Sequence, residues 1–298
     1  MPDWIRPGPG DQPRWGHAGG LQIGLSPLPG PRGLLRVYAP YLNDDPQRVV
    51  NFIAVEPTPV GATERGFSEL EWSGLDEVRG KRIGSADAPT ADFAASPAPG
   101  VLGPSGLTVY LPVERFDNGA HVYVRIRFRP DRPHEVAVAG FHHPDSVALA
   151  HLTLTATMGN WARLRRLELA ARTVTPGELW PGFSGDGFTR HARFGLAALR
   201  RDPDGCAVVT ATTDEAEPAT ATYAAGTAAH WRYVGRAAAQ SWRAPDPDPD
   251  LEVLVNGRAC YWASTSPIPG GVSFENFEFE SPYRPGQEYV FSVEPVPE

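Results

Sequence analysis

Cysteine and methionine are nearly missing from this chain of 298 residues, which holds two of each. Cys206 and Cys260 lie far apart and match no metal-binding or redox spacing, which excludes cysteine-based metal sites and dithiol chemistry. They read as two small buried hydrophobes; a bond between them would need the fold to bring them together. No run of about 18 apolar residues occurs, so no helix spans a membrane. Positive charge is also short. Lys and Arg number 27 against 35 Asp and Glu, a net charge of −8, which excludes a general nucleic-acid binder. The same balance disfavours a polyanionic substrate, although a local arginine row can override a global average. Long Ala/Leu/Glu/Lys stretches are absent, and with them any largely helical fold.

Motifs for bound groups are missing too. No Gly-rich phosphate loop follows a strand, and no His-x-His or His-x₃-His pair exists, so neither a cofactor nor a metal is expected. Asp246, Asp248 and Asp250 lack the carbonyl-rich loop that Ca²⁺ prefers. Gly182-Phe-Ser-Gly185 falls short of a nucleophile elbow. The start, Met1-Pro2-Asp3-Trp4, has no basic region followed by an apolar one. A cytoplasmic location is the expectation for the chain as written, or secretion if a signal has been removed.

What the chain does contain is turn residues, 32 Pro and 31 Gly, and short alternating stretches. His121 to Arg129 alternates strictly: Val122, Val124, Ile126 and Phe128 on one face, His121, Tyr123, Arg125, Arg127 and Arg129 on the other. Period two over nine residues is a β-strand with one dry face. Further strands are expected over 34–39, 49–55, 69–72, 107–113, 134–141, 147–158, 162–169 and 190–196. Others are expected over 207–213, 251–255, 259–263, 272–279 and 288–293. Asn256-Gly257 reads as a hairpin turn between two of them. Residues 89–104 read as a long surface loop, 245–250 as an extended solvated spacer, and 224–242 as strand over helix. Short strands at close spacing with almost no helix predict an all-β fold, an antiparallel β-sandwich of jelly-roll type. Residues 34–298 form its single domain. Residues 1–33, rich in Gly and Pro, form a segment without regular elements that packs on it through Trp4, Trp15 and His17.

Candidate chemistry starts at Gly66 to Trp72. Read as a strand, it places Glu69 and Glu71 on one face, close enough for one carboxyl to raise the pKa of the other. Such a pair approaches the spacing used by retaining glycosidases. A second group is the row of His121, Tyr123, Arg125 and Arg127, extended by Arg163 and Arg165 if their strands are neighbours. Arginine forks bind carboxylates, and Tyr or His can remove a proton next to a uronate, which is lyase chemistry. The more common alternative is an exposed, salt-bridged face, with Glu278 and Glu280 among the available counter-charges. Asn51, in an otherwise apolar strand closed by Glu56, is a ligand contact or a structural tether. Trp72 and Trp161, with Trp15, Trp180, Trp231 and Trp262, lie at strand ends, where indole faces can stack on sugar rings.

Phe67-Ser-Glu-Leu-Glu71 is similar at its centre, Ser-Glu-Leu, to the strand motif Arg-Ser/Thr-Glu-Leu/Val-Arg of alginate-lyase-type polysaccharide lyases. Phe67 and Glu71 stand where that motif has its arginines. The resemblance implies a carbohydrate-active jelly roll, concanavalin-A-like in fold, and transfers no catalytic assignment. The expected function is a glycoside hydrolase using Glu69 and Glu71 on a poly- or oligosaccharide. The alternatives are a polysaccharide lyase, with Tyr123 or His121 as base and Arg125 neutralising the uronate, and a non-catalytic glycan-binding module. The expected partner is carbohydrate, with no nucleic acid and no membrane; the oligomeric state is not legible.

Overall fold

The alternating stretches form two antiparallel sheets packed face to face. The structure, a computed structural model, describes residues 3–42, 47–94, 96–157, 162–215, 217–233 and 235–296. In chain order the strands begin β1 (Trp4–Ile5), β2 (Arg14–His17), β3 (Gln22–Gly24), β4 (Leu34–Tyr38) and β5 (Val49–Pro59). Next come β6 (Val101–Gly103), β7 (Gly106–Pro112), β8 (Val122–Phe128), β9 (Glu135–His142) and β10 (Leu149–Thr157). Then follow β11 (Leu164–Glu168), β12 (Thr173–Val174), β13 (Ala192–Gly195), β14 (Arg200–Arg201) and β15 (Ala207–Thr213). The last are β16 (Ala238–Ala244), β17 (Glu252–Arg258), β18 (Ser273–Glu280) and β19 (Glu288–Pro295).

The first sheet runs β1-β2-β3-β4-β5-β10-β18-β17-β13. The second runs β12-β11-β15-β16-β19-β9-β8-β7-β6, with β14 pairing onto β15. The chain passes repeatedly between them, as after β5, β9 and β10, a connectivity compatible with a jelly roll. Ile53, Val55, Leu154, Val253, Phe277 and Phe279 of the first sheet meet Val122, Val124, Ile126, Val136, Trp242 and Phe291 of the second in one core. Each such side chain, fully buried, contributes roughly 1.5–3 kcal/mol. Polar bonds also cross this core. Trp242 Nε1 donates to the carbonyl of Phe277 at 2.8 Å, and Asn51 Nδ2 donates to Gln240 Oε1 at 2.5 Å.

Strands β8 and β15 occupy the ranges their alternation indicates, and β5, β17 and β19 run on past them. Five local expectations are corrected. The amino-terminal segment contains β1, β2 and β3, which extend the first sheet; Trp15 is fully buried and donates to the Ala98 carbonyl at 2.8 Å. Gly66 to Trp72 is a turn, described below. Asn256-Gly257 lies inside β17 at a bulge, where Asn256 Oδ1 accepts from the Asn276 amide at 3.0 Å. A Cβ on Gly257 would stand 2.8 Å from the Ser273 carbonyl, so close packing requires the glycine there. Residues 259–263 form no strand, and 224–242 contains a 3₁₀ turn (Ala229–Trp231) before β16. Both cysteines are free thiols.

Candidate functional site

Strand alternation sends Phe52, Ala54, Glu56 and Thr58 of β5 away from the core, onto the open face of the first sheet. One row across that face is fixed by register: Ala54, Thr155, Glu278, Leu254 and Arg193, from β5, β10, β18, β17 and β13. Loops rise around the face and enclose a cavity of about 1950 Å³. Its floor includes Glu56, Asn256, Asn276, Glu278 and Glu280, and Arg65 and Glu69 reach in from the loop after β5.

Arg65 organises the floor. Its Nη1 donates to Glu56 Oε2 and to Glu278 Oε1, both at 2.8 Å, and its Nη2 to Glu280 Oε2 at 2.5 Å. Glu278 also accepts from Thr155 Oγ1. Arg193 Nη1 reaches Glu280 Oε1 at 3.0 Å and Glu252 Oε2 at 2.8 Å. Glu56 and Glu278 are only 4% and 1% exposed, so their charges are held where water cannot screen them. Burial, then Glu278 and Glu69, push the Glu56 carboxyl well above the usual carboxylate range, against the pull of Arg65. Burial would raise Glu280 too, but Arg65 and Arg193 prevail and hold it below its ordinary value. His191 stands 3.9 Å from Glu278 Oε1, and burial lowers its pKa despite that neighbour.

Glu69 belongs to a different element. The Ser68 amide donates to the Val55 carbonyl at 3.3 Å and Ser68 Oγ accepts from the Val55 amide at 2.9 Å, which latches this segment onto β5. The amides of Leu70 and Glu71 fold back on the Phe67 carbonyl, at 3.2 and 3.1 Å, and close the turn. Glu69 and Glu71 therefore do not share a strand face. Glu71 accepts from the Phe67 amide at 3.0 Å and the Asp117 amide at 2.8 Å, and pairs with buried Lys81 at 3.3 Å. Glu69 points into the cavity, where its Oε2 is buried without a hydrogen-bond partner among the described residues. Burial pushes its carboxyl up to about 7; its own backbone, Ser68 and Arg79 oppose the shift and Glu71 adds to it.

The arginine row lies elsewhere. β8 carries it on the outer face of the second sheet, where Arg125 and Arg127 pair with Glu288 at 3.2 and 2.7 Å. Tyr123 stacks on Phe141 with centroids 5.0 Å apart, and His121 pairs with Asp145 at 2.8 Å. The shelf with Arg163 and Arg165 does not form, because β15, β16, β19 and β9 separate β11 from β8. Arg163 is fully buried against Glu215, Tyr223 and the Pro218 carbonyl. Arg165 is held by Asp214, Glu215 and the Pro269 carbonyl. Asn51 faces Gln240 and ties the sheets together, Trp72 is exposed outside the cavity, and Trp161 lies outside the described residues.

Arg65, Glu56, Glu278 and Glu280 are the residues that sequence reasoning left out of the site. A glutamate closing an apolar strand and the alternation of Asn276, Glu278 and Glu280 were their signals; His191 and Asn256 had none. Among the described residues no group of three or more His, Cys, Asp or Glu is placed to hold a metal, and no helix is long and apolar enough to cross a membrane. The chain matches no protein-family model, no curated protein and no solved structure, so its own geometry is the ground on which a function stands.

Proposed function

We propose that the protein is a glycoside hydrolase acting in this cavity, with Glu69 as general acid and Glu278 as the opposing base or nucleophile. The observation that carries this is the contrast between them. Glu69 keeps a buried, unpartnered oxygen and a pKa near 7, whereas Glu278 is fixed by Arg65 and Thr155. Glycosidic cleavage needs two such groups, a carboxylic acid to protonate the leaving oxygen and a carboxylate opposite it. Glu56, Glu69 and Glu278 all line the one cavity.

The test is a screen of the purified protein and Glu69→Gln on neutral and uronate polysaccharides, read by new reducing ends and by near-ultraviolet absorbance. Reducing ends from the parent and none from the variant support the reading. Undiminished turnover by Glu69→Gln removes Glu69 from the chemistry. Absorbance would signal elimination instead, and binding without turnover a glycan-binding module.

A further inference from the structure

The cavity has a second lining that the acid–base chemistry does not use. Phe188, Trp231 and Trp262 come from three separate loops, and each shows part of its ring to the cavity. The rings are supported from behind. Trp231 stacks on fully buried Tyr261, with centroids 5.4 Å apart and planes at 11°. The guanidinium of Arg258, itself 5% exposed, lies 4.8 Å from the Phe188 ring and 5.4 Å from that of Trp262. Phe188 and Trp262 contact each other at 5.6 Å, and Thr227 Oγ1 bonds Ser266 Oγ at 2.7 Å, joining two of the loops. Phe188 remains 42% exposed, which a ring recruited only for core packing would not be.

The aromatic end is displaced from the carboxylates. Leu254 is level with Glu278, and Arg258 lies four residues further along β17, roughly 13 Å at strand rise. One sugar ring cannot touch both places. Between them the floor offers Asn256, Asn276 and His191, which are hydrogen-bonding groups without formal negative charge. At about 1950 Å³ the space exceeds the roughly 300–1,000 Å³ of a site for one small molecule. Charge narrows the ligand further. The floor carries Glu56, Glu278 and Glu280 against Arg65 and Arg193, which these carboxylates already share, so a uronate lying on it would meet an excess of negative charge; Arg32, Arg48 and Arg79 stand outside the strands of the floor.

We infer that Trp262 and Phe188, with Trp231 beside them, form a stacking subsite for sugar units remote from the cleaved bond, and that the ligand is a neutral glycan of several units. This rests on the hydrolase reading for where the bond is cut, but not for where the chain lies. A flat, apolar ring face with hydroxyls at its rim is the ligand that fits aromatic walls over an amide-bearing floor.

The experiment is calorimetric titration of the full chain with cello-, laminari-, xylo- and manno-oligosaccharides of two to six units, with oligogalacturonates of matching length. In at least one neutral series the affinity should rise with length. Trp262→Ala should then lose about tenfold on the hexamer and little on the dimer, and Trp262→Phe should keep most of the affinity. Phe188→Ala, at an exposed position, guards against misfolding of the Trp262 variant and should show the same length-dependent loss. Equal binding of the hexamer by parent and both alanine variants overturns the subsite, as does preference for oligogalacturonates. Length-dependent loss together with full turnover by Glu69→Gln would sink the acid assignment and leave the subsite standing. Loss of turnover in Glu69→Gln with unchanged binding in the Trp262 and Phe188 variants would do the reverse. No binding of any neutral series by the parent overturns both.

Discussion

Glu56 and Glu278 accept hydrogen bonds from one and the same nitrogen, Nη1 of Arg65, each at 2.8 Å. They stand on strands separated by β10 and two residues out of level, about 12 Å apart at the backbone, and this cation lies between their carboxyls. Removing it leaves two buried carboxyls without a counter-charge. Arg65→Met should cost about 3–5 kcal/mol of stability. The deficit should shrink as pH falls, because protonating Glu56, whose carboxyl burial holds well above the usual range, removes its repulsion of Glu278. Thermal melts of parent and variant between pH 5 and 8 measure it; a deficit independent of pH would mean that the cation is not balancing these charges.

Glu69 should impose a falling limb on the pH–rate profile. A general acid must be protonated, and this carboxyl loses its proton as pH rises through about 7. Turnover should fall above that value, and Glu69→Gln should lose roughly 10²–10⁴-fold at the optimum. A rate that stays level well past pH 7 would assign the donor elsewhere.

The same group contributes to stability with a defined sign. Its folded pKa lies above the unfolded value near 4.5, so the native state binds more protons between the two. Its contribution is fully present below about 4.5 and is lost as pH rises through about 7. The stability of Glu69→Gln relative to the parent should therefore rise over that window. Chemical denaturation at several pH values provides the comparison, and an opposite slope would contradict a carboxyl raised by burial.

On the outer face of the second sheet, Arg125 and Arg127 share Glu288 while each stays about a quarter to a third exposed. Solvent screening limits such pairs to at most about 1 kcal/mol. Arg125→Ala and Arg127→Ala should shift the melting point only slightly and leave hydrolysis at the parent rate. Loss of turnover in either would return the chemistry to this face.

Gly33→Ala tests the support of Glu69. Gly33 has φ of +79°, and a Cβ there would stand 1.9 Å from the Ser68 carbonyl oxygen. The turn that carries Glu69 must move to admit it. The variant should fold with stability reduced by about 1–3 kcal/mol and with turnover reduced more than binding of the unhydrolysed glycan. Parent-like turnover would show that the turn tolerates displacement.

The strands were legible because one face of each is dry. Val122 to Phe128 alternates without exception, and β8 has those bounds. The turn at Phe67 to Glu71 was not, because it is built from side-chain bonds, Ser68 to Val55 and Glu71 to Phe67, that leave no trace in periodicity. The same holds for Asn256-Gly257, whose residues suit a hairpin but here serve a bulge in which the Asn side chain accepts from a neighbouring strand. Glu69 lines the cavity, but Glu71 does not share a strand face with it. The carboxyls on the cavity floor, Glu56 and Glu278, are distant in sequence, and only the strand order β5-β10-β18 brings them to one face.

That strand order has a consequence for how such a molecule can change over time. Glu56 and Glu278 cannot slip by one residue without turning a whole strand face over, so their positions are fixed with the ladder itself. Glu69 is attached through a loop, and loops absorb insertions without disturbing the sheet beneath. A one-residue insertion before Gly66, with the first-formed anomer followed by NMR, would read the effect of that freedom on the distance between donor and cluster. On the hydrolase proposal this distance would separate one-step from two-step displacement, so stereochemical outcome would be inherited through a loop, and the anionic half of the site through the sheet.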